Sequence, residues 1–320
     1  MTAYRTLPTL TQLRHLIAVA ENGHFGRAAE ACFITQSSLS ASIKELEAML
    51  GRVLVERTRR SVMMTPLGLD VVTRARGVVT DVGDIVDLVS ASGDVLSGPL
   101  RLGVIPTIAP FLLPRVMPLV RDTHPGLKLY LREDQTGRLL NGLAGGELDV
   151  LLLAFPYSLE GLETEIFAED PFWVAFPDGH WCAGRERLTV ADLRAEELML
   201  LGEGHCLREH ALAVSGGKGG GTKGPAAGEF QASSLHTLVQ MVDNGLGLTL
   251  LPKMAIDAGI IRGTKVQVRP LAGKASSRQV GFAWRASSPG KADFQRLAGF
   301  FRDELATPLP PRRKGTGETA

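Results

Sequence analysis

The stretch Phe25–Lys44 constrains this chain more than any other. Its small and apolar residues recur at the spacing of two short helices that cross at close range. Ala28 and Ala29 admit a near neighbour, and Leu39, Ile43, Leu46 and Leu50 give the second helix one apolar stripe. The opposite face is short and polar, with Gln36, Ser37, Ser40, Ala41 and Lys44, and Thr35 is placed to cap it. A polar, capped first turn suits a helix that enters a major groove, although a plain helical hairpin carries the same pattern. The residues after this helix separate the two readings. Val53–Thr65 holds two apolar runs around Arg57, Arg59 and Arg60, which reads as a β-wing with arginines at its tip, suited to phosphates or a narrow minor groove. The expected contacts to a double-stranded DNA operator are therefore Thr35, Gln36, Ser37, Ser40 and Lys44 on the helix and Arg57, Arg59 and Arg60 on the wing.

Charge agrees with this reading locally, not globally. The net charge is only +1, yet residues 1–76 carry ten Lys/Arg against six Asp/Glu, and residues 77–98 carry four Asp and no base. Phosphate contact depends on the facing patch more than on the total; the plainer alternative is an uneven surface. With 320 residues, 44% of them hydrophobic, the chain has room for two or three domains. No signal peptide opens it and no apolar run of roughly 18 residues could span a bilayer, so a cytoplasmic protein without a membrane partner is expected. That expectation also disfavours a solute-binding protein. Cys32, Cys182 and Cys206 lack metal-like spacing and are too few for a disulfide framework. Neither a metal nor another cofactor is expected.

Along the chain, Leu10–Asn22 has Leu10, Leu13, Leu16, Ile17 and Ala20 on one face and completes a three-helix head. Cys32 reads as a small packing residue in the turn. Thr65-Pro66 starts a helix whose stripe Val71, Ala75, Val78, Val82, Ile85 and Val89 runs towards Gly93; the same helix of a second subunit, or the chain's own effector domain, would cover it. Beyond Ser97-Gly98-Pro99 strands and helices alternate in two rounds, with strands expected at 100–105, 127–133, 148–154, 172–176, 197–201, 230–232, 247–251, 265–271 and 279–284. The fold class is α/β with a parallel sheet, in two lobes around a ligand-binding cleft. The expected division is a winged helix-turn-helix at 1–65, a dimerising linker helix at 66–97, an effector domain at 98–306 and a disordered tail at 307–320. The glycine-rich run 216–224 reads as a loop without the spacing of a phosphate-binding motif.

One stretch carries chemistry. In Glu203-Gly-His-Cys-Leu-Arg-Glu-His210 the thiol of Cys206 stands at an expected helix start, beside His205 and Arg208. The helix dipole and nearby positive charge both favour the thiolate, the form that peroxide oxidises to sulfenic acid. A lone cysteine beside a histidine is also a common incidental arrangement.

The order Ala-Ala, Thr-Gln-Ser-Ser-Leu-Ser, Leu-Glu, Leu-Gly, Arg, Thr-Pro-Leu-Gly resembles the LysR-type transcriptional regulators. Gly204-His-Cys-Leu-Arg208, Leu-Gly-Val-Ile-Pro-Thr107 and Asp134-Gln-Thr136 are similar to the peroxide-sensing activators within that family, over nearly all of residues 9–305. The resemblance implies a two-lobed effector domain of the periplasmic-binding-protein type. It implies hydrogen peroxide as the signal and Cys206 as the redox sensor, with Thr107, Thr136 and His205 lining a peroxide pocket and Arg208 and Arg285 holding its charge network. It also implies homodimers or homotetramers on long operators, with RNA polymerase as a further partner.

The chain departs from that pattern in one place. The family's peroxide sensors usually carry a resolving cysteine nine residues after the first, where this chain has Ser215. Either a cysteine has been replaced by its near-isostere, or the chain signals differently. Two rival functions stay open at this point: a regulator whose cleft binds a small organic co-inducer, and a thiol peroxidase, which the lack of a resolving thiol disfavours.

Overall fold

Each helix of the head begins on a residue suited to that place. Helix α1 (Leu10–Asn22) opens on a capping box: Gln12 N donates to Thr9 Oγ1 at 3.2 Å, and Thr9 N donates to Gln12 Oε1 at 3.0 Å. His24 caps α2 (Phe25–Ala31) and Thr35 caps α3 (Gln36–Leu50), the latter through a bond from Ser38 N at 3.2 Å. Leu16, Val19, Phe25, Ala28, Ala29, Leu39, Ile43 and Leu46 form one buried core, so the two alanines do sit where helices approach. Leu50, expected on the stripe, is exposed. Strands β1 (Val55–Arg57) and β2 (Val62–Met64) pair antiparallel with Arg57 opposite Val62. Glu47 on α3 accepts from Leu54 N at 2.8 Å and Val55 N at 3.0 Å, which fastens the base of this hairpin to α3.

The computed structural model describes residues 7–57, 62–90, 95–156, 161–193, 198–214, 232–273 and 276–306. Arg59, Arg60, Ser215, the run 216–224 and the tail 307–320 lie outside the described residues, as do the side chains of Arg57 and Val89. Contacts divide the chain into two compact units, one of residues 1–93 with 141–148 and 287–289, the other of 94–140, 149–286 and 290–320.

Helix α4 (Pro66–Ser90) starts on the hydroxyl of Thr65, which accepts from Gly68 N at 2.9 Å. Its stripe splits in two. Val72 and Ala75 are buried and Val71 is half-buried, whereas Val78, Val82, Ile85 and Val86 are exposed. The half nearer the head is thus spent on the head's core, and the outer half is left uncovered.

After α4 the chain runs through β3 (Gly98–Val104), α5 (Ala109–Thr123), β4 (Leu127–Glu133), α6 (Thr136–Ala144) and β5 (Val150–Phe155). Strand β3 lies parallel to both β4 and β5. Strand β6 (Leu162–Phe176) then crosses into a second lobe. That lobe holds a short turn of 3-10 helix (Trp181–Gly184), β7 (Leu188–Thr189), α7 (Val190–Leu193), α8 (Cys206–Val214), α9 (Leu235–Asp243), β8 (Thr249–Pro252), α10 (Lys253–Asp257) and β9 (Gln267–Ala272). Strand β10 (Ser277–Arg285) returns, and α11 (Lys291–Ala306) closes the first lobe. The strand order is β4-β3-β5-β10-β6-β9-β7, with β8 also paired to β6.

The sheet is therefore mixed, which corrects the expected parallel sheet. The outgoing strand β6 and the returning strand β10 are neighbours, so they must run antiparallel, and β10 enters the first lobe antiparallel to β5 as well. Phe167, Phe282 and Phe301 lock α11 against this pair with ring centroids 5.1–5.6 Å apart. The strands expected at 197–201 and 230–232 reduce, among the described residues, to single bridges from Leu198 to Leu248 and from Leu201 to Ala232. No helix among the described residues is long and apolar enough to cross a membrane.

Candidate functional site

Parallel neighbours send their following loops out at the same edge of a sheet, and that edge is where the site forms. Thr107 follows the carboxyl end of β3; Gln135 and Thr136 follow that of β4. The second lobe brings Gly204, His205 and Cys206 to the same place at the first turn of α8. With Ile105 and Pro106 these residues line one narrow cavity. Thr107, Thr136, His205 and Cys206 are all buried. Four of the residues expected to meet around a peroxide are thus brought together.

The polar atoms around the cavity are unevenly satisfied. Thr107 is held from behind by Arg278, whose Nη1 donates to Thr107 Oγ1 at 2.8 Å and whose Nη2 donates to the Thr107 carbonyl at 3.0 Å. Arg278 is paired in turn with Asp170: Nε and Nη2 each stand 3.0 Å from Asp170 Oδ2, and Met254 N donates to Oδ1 at 3.0 Å. By contrast Thr136 Oγ1 and His205 Nδ1 are buried with no hydrogen-bond partner among the described residues. Buried polar atoms are nearly always paired, so two orphans beside one thiol mark a place where a small polar guest would be held. Burial pushes the His205 imidazole below its ordinary value and keeps it neutral near pH 7. The backbone amides at the start of α8 present the positive end of the helix dipole to Cys206.

Other expected residues fall elsewhere. Arg208 does not line the cavity; its Nη1 donates to the Leu201 carbonyl at 3.2 Å and anchors the base of α8. Arg285 pairs with Leu162 at the far end of β10, seven residues from Arg278 and so roughly 23 Å along the strand. The pocket role expected of Arg285 is corrected accordingly: the guanidinium behind Thr107 belongs to Arg278. Sequence reasoning missed Arg278, Asp170 and Gln135, although the last stands inside the motif Asp134-Gln-Thr136. Cys182 is buried in the 3-10 turn, and none of the three cysteines forms a disulfide. No group of metal-binding side chains occurs among the described residues.

On the head, Thr35, Gln36, Ser37 and Lys44 are exposed and Ser40 is half-buried. The hydroxyls of Ser37 and Ser38 lie 2.9 and 2.8 Å from Thr35 Oγ1, so the exposed N-terminal turn of α3 carries a cluster of hydroxyls. Ser38 and the exposed Phe33 in the preceding turn were not anticipated.

Residues 10–69 match the family model for bacterial regulatory helix-turn-helix proteins of the lysR family, and residues 93–306 match that for the LysR substrate binding domain. The chain is 42% identical to a probable hydrogen peroxide-inducible genes activator of Streptomyces viridosporus, over 96% of this chain and 97% of that one. Among solved structures it is similar to a full-length cysteine-to-aspartate OxyR from Pseudomonas aeruginosa, with 34% identity, a TM-score of 0.75, and 93% and 95% of the two chains covered. It is also similar to a cysteine-to-serine mutant of Corynebacterium glutamicum OxyR with hydrogen peroxide bound, at 32% identity and a TM-score of 0.64 over 94% of each chain. With residues 10–69 and 93–306 matched to its two domains, the chain belongs to the LysR family of bacterial DNA-binding transcription regulators and is not an enzyme.

Proposed function

We propose that this protein is a cytoplasmic transcription activator of the oxidative stress response in which hydrogen peroxide is sensed through oxidation of Cys206. The observation that carries the reading is that the buried thiol of Cys206 lines one narrow cleft with two residues whose polar atoms, Thr136 Oγ1 and His205 Nδ1, are buried without a hydrogen-bond partner among the described residues. The names of the Streptomyces and Corynebacterium relatives, and the peroxide held by the second, support the same reading.

The chemistry balances within the cavity. The sulfur of Cys206 attacks one peroxide oxygen, an S–O bond forms and the O–O bond breaks. The sulfur loses two electrons, and the departing hydroxide takes up the proton that the thiol gave, leaving sulfenic acid and water. His205, neutral and with Nδ1 unpartnered, is placed to relay that proton, while the hydroxyls of Thr107 and Thr136 orient the peroxide. The reaction consumes the thiol once per event rather than turning over.

Residues 1–65 read the operator, 66–97 pair two subunits through the uncovered half of α4, and 98–306 sense. Tetramers through the effector domains and a contact with RNA polymerase complete the proposed assembly. With Ser215 where the family's peroxide sensors usually carry the resolving cysteine, oxidation is not locked by a disulfide, and the chain stays near its reduced conformation. Operator footprinting tests the reading. Peroxide should leave the footprint of this chain nearly unchanged and alter that of Ser215→Cys. Adding Cys206→Ser to that variant should abolish the alteration. An unaltered footprint in Ser215→Cys would favour the co-inducer reading instead.

A further inference from the structure

We propose that Asp170 is the positioning residue of the sensor cavity: acting through Arg278, it fixes the direction in which the Thr107 hydroxyl can donate. This rests on the cavity being a peroxide site.

Asp170 and Arg278 form a fully buried ion pair. Removing two charges from water costs so much that a well-packed apolar pair would serve stability equally well, so stability alone does not account for this one. Its geometry offers another account. Asp170 and Arg278 are directly opposed on β6 and β10, at the point where these strands pass between the lobes, so backbone register sets their distance. Both oxygens of Asp170 are occupied, by Met254 N, Arg278 Nε and Arg278 Nη2, and Asp170 does not line the cavity. One edge of the planar guanidinium is thereby fixed, and the other edge meets both oxygens of Thr107. Because Nη1 fills an acceptor site of the Thr107 hydroxyl, its proton must point elsewhere, and Thr107 borders the cavity. A peroxide oxygen arriving there meets a hydroxyl whose proton is turned away from Arg278.

Loss of the Asp170 carboxylate would free Arg278 to turn and leave its charge uncompensated near Cys206. The thiol would keep or gain reactivity towards reagents that need only a thiolate, while peroxide would lose its oriented donor. That split distinguishes positioning from a structural role.

The test uses the reduced full-length chain and two second-order rate constants for Cys206, with hydrogen peroxide (sulfenic acid trapped by dimedone) and with iodoacetamide. Asp170→Asn should slow the peroxide reaction about tenfold or more while iodoacetamide reacts as fast or faster, and Asp170→Glu should recover most of the loss. In an Arg278→Met background, Asp170→Asn should change nothing further. Should Asp170→Asn fail to fold, the pair Asp170→Leu/Arg278→Met, which leaves no charge behind, should match Arg278→Met alone. Parallel loss of both reactions, an unchanged peroxide rate, or an independent effect in the Arg278→Met background would each overturn the inference. A Cys206 in the unsubstituted chain no faster with peroxide than free cysteine would overturn the peroxide reading, and this inference with it.

Discussion

Gln135 lies so close over Gly204 that a Cβ on the glycine would stand 2.6 Å from the Gln135 Oε1, and its Nε2 donates to the neighbouring Glu203 carbonyl at 3.0 Å. Gln135 immediately precedes α6 in the first lobe, and Gly204 leads into Cys206 in the second, so this contact closes the lobes over the thiol. Gly204 also has a φ of +85°, which side chains disfavour. Gly204→Ala should therefore cost about 1–3 kcal/mol in urea unfolding of the effector domain and speed alkylation of Cys206. An unchanged midpoint and an unchanged alkylation rate would show that the contact closes nothing.

Acid should destabilise the effector domain through His205. Its folded value is pushed below 6.5 by burial, so in the window between that lowered value and 6.5 the unfolded chain binds a proton that the folded chain refuses. Stability present above pH 6.5 is lost as pH falls through that window. Urea midpoints at about pH 7.5 and pH 5.5 measure this, and His205→Gln should shrink the difference. An equal acid loss in the variant would place the effect on other groups.

The wing arginines and the recognition helix should separate in their effects on DNA. Arg59→Ala with Arg60→Ala should weaken binding to every sequence and reduce the salt slope by about two. Gln36→Ala, at the exposed start of α3, should instead change base preference. Titrations at several salt concentrations decide this: unaltered affinity and slope in the double variant would remove the wing from the interface.

Val78, Val82, Ile85 and Val86 leave an apolar band uncovered on α4. Val82→Asp should dissociate the linker pair, which sedimentation at micromolar concentration detects. A monomeric unsubstituted chain would sink the dimer itself.

Legibility in the sequence tracked the range of the interactions. The head was readable because its determinants are local: Thr9, Thr35 and Thr65 cap their own helices, and the alanines and leucines repeat within one turn or two. Thr107, Thr136 and His205 were legible only through the family resemblance, and Cys206 also through its place at an expected helix start. Arg278 and Arg285 were not separable, since both sit on one strand and only the pairing of Arg278 with Asp170 shows which end meets the cavity. The first half of β6 escaped notice because Leu162-Glu-Thr-Glu-Ile166 alternates with too many charges to read as a buried strand, and its place comes from β10. The mixed sheet has the same origin, for no local signal tells that the chain returns beside the strand on which it left.

Intact-mass spectrometry of the reduced chain after one equivalent of hydrogen peroxide tests the central claim most directly. The account predicts a gain of one oxygen, located on Cys206, absent in Cys206→Ser, and advancing to two oxygens under excess peroxide because Ser215 cannot intercept the sulfenic acid. An unoxidised Cys206, or a loss of two hydrogens with a peptide linking Cys182 to Cys206, would contradict it.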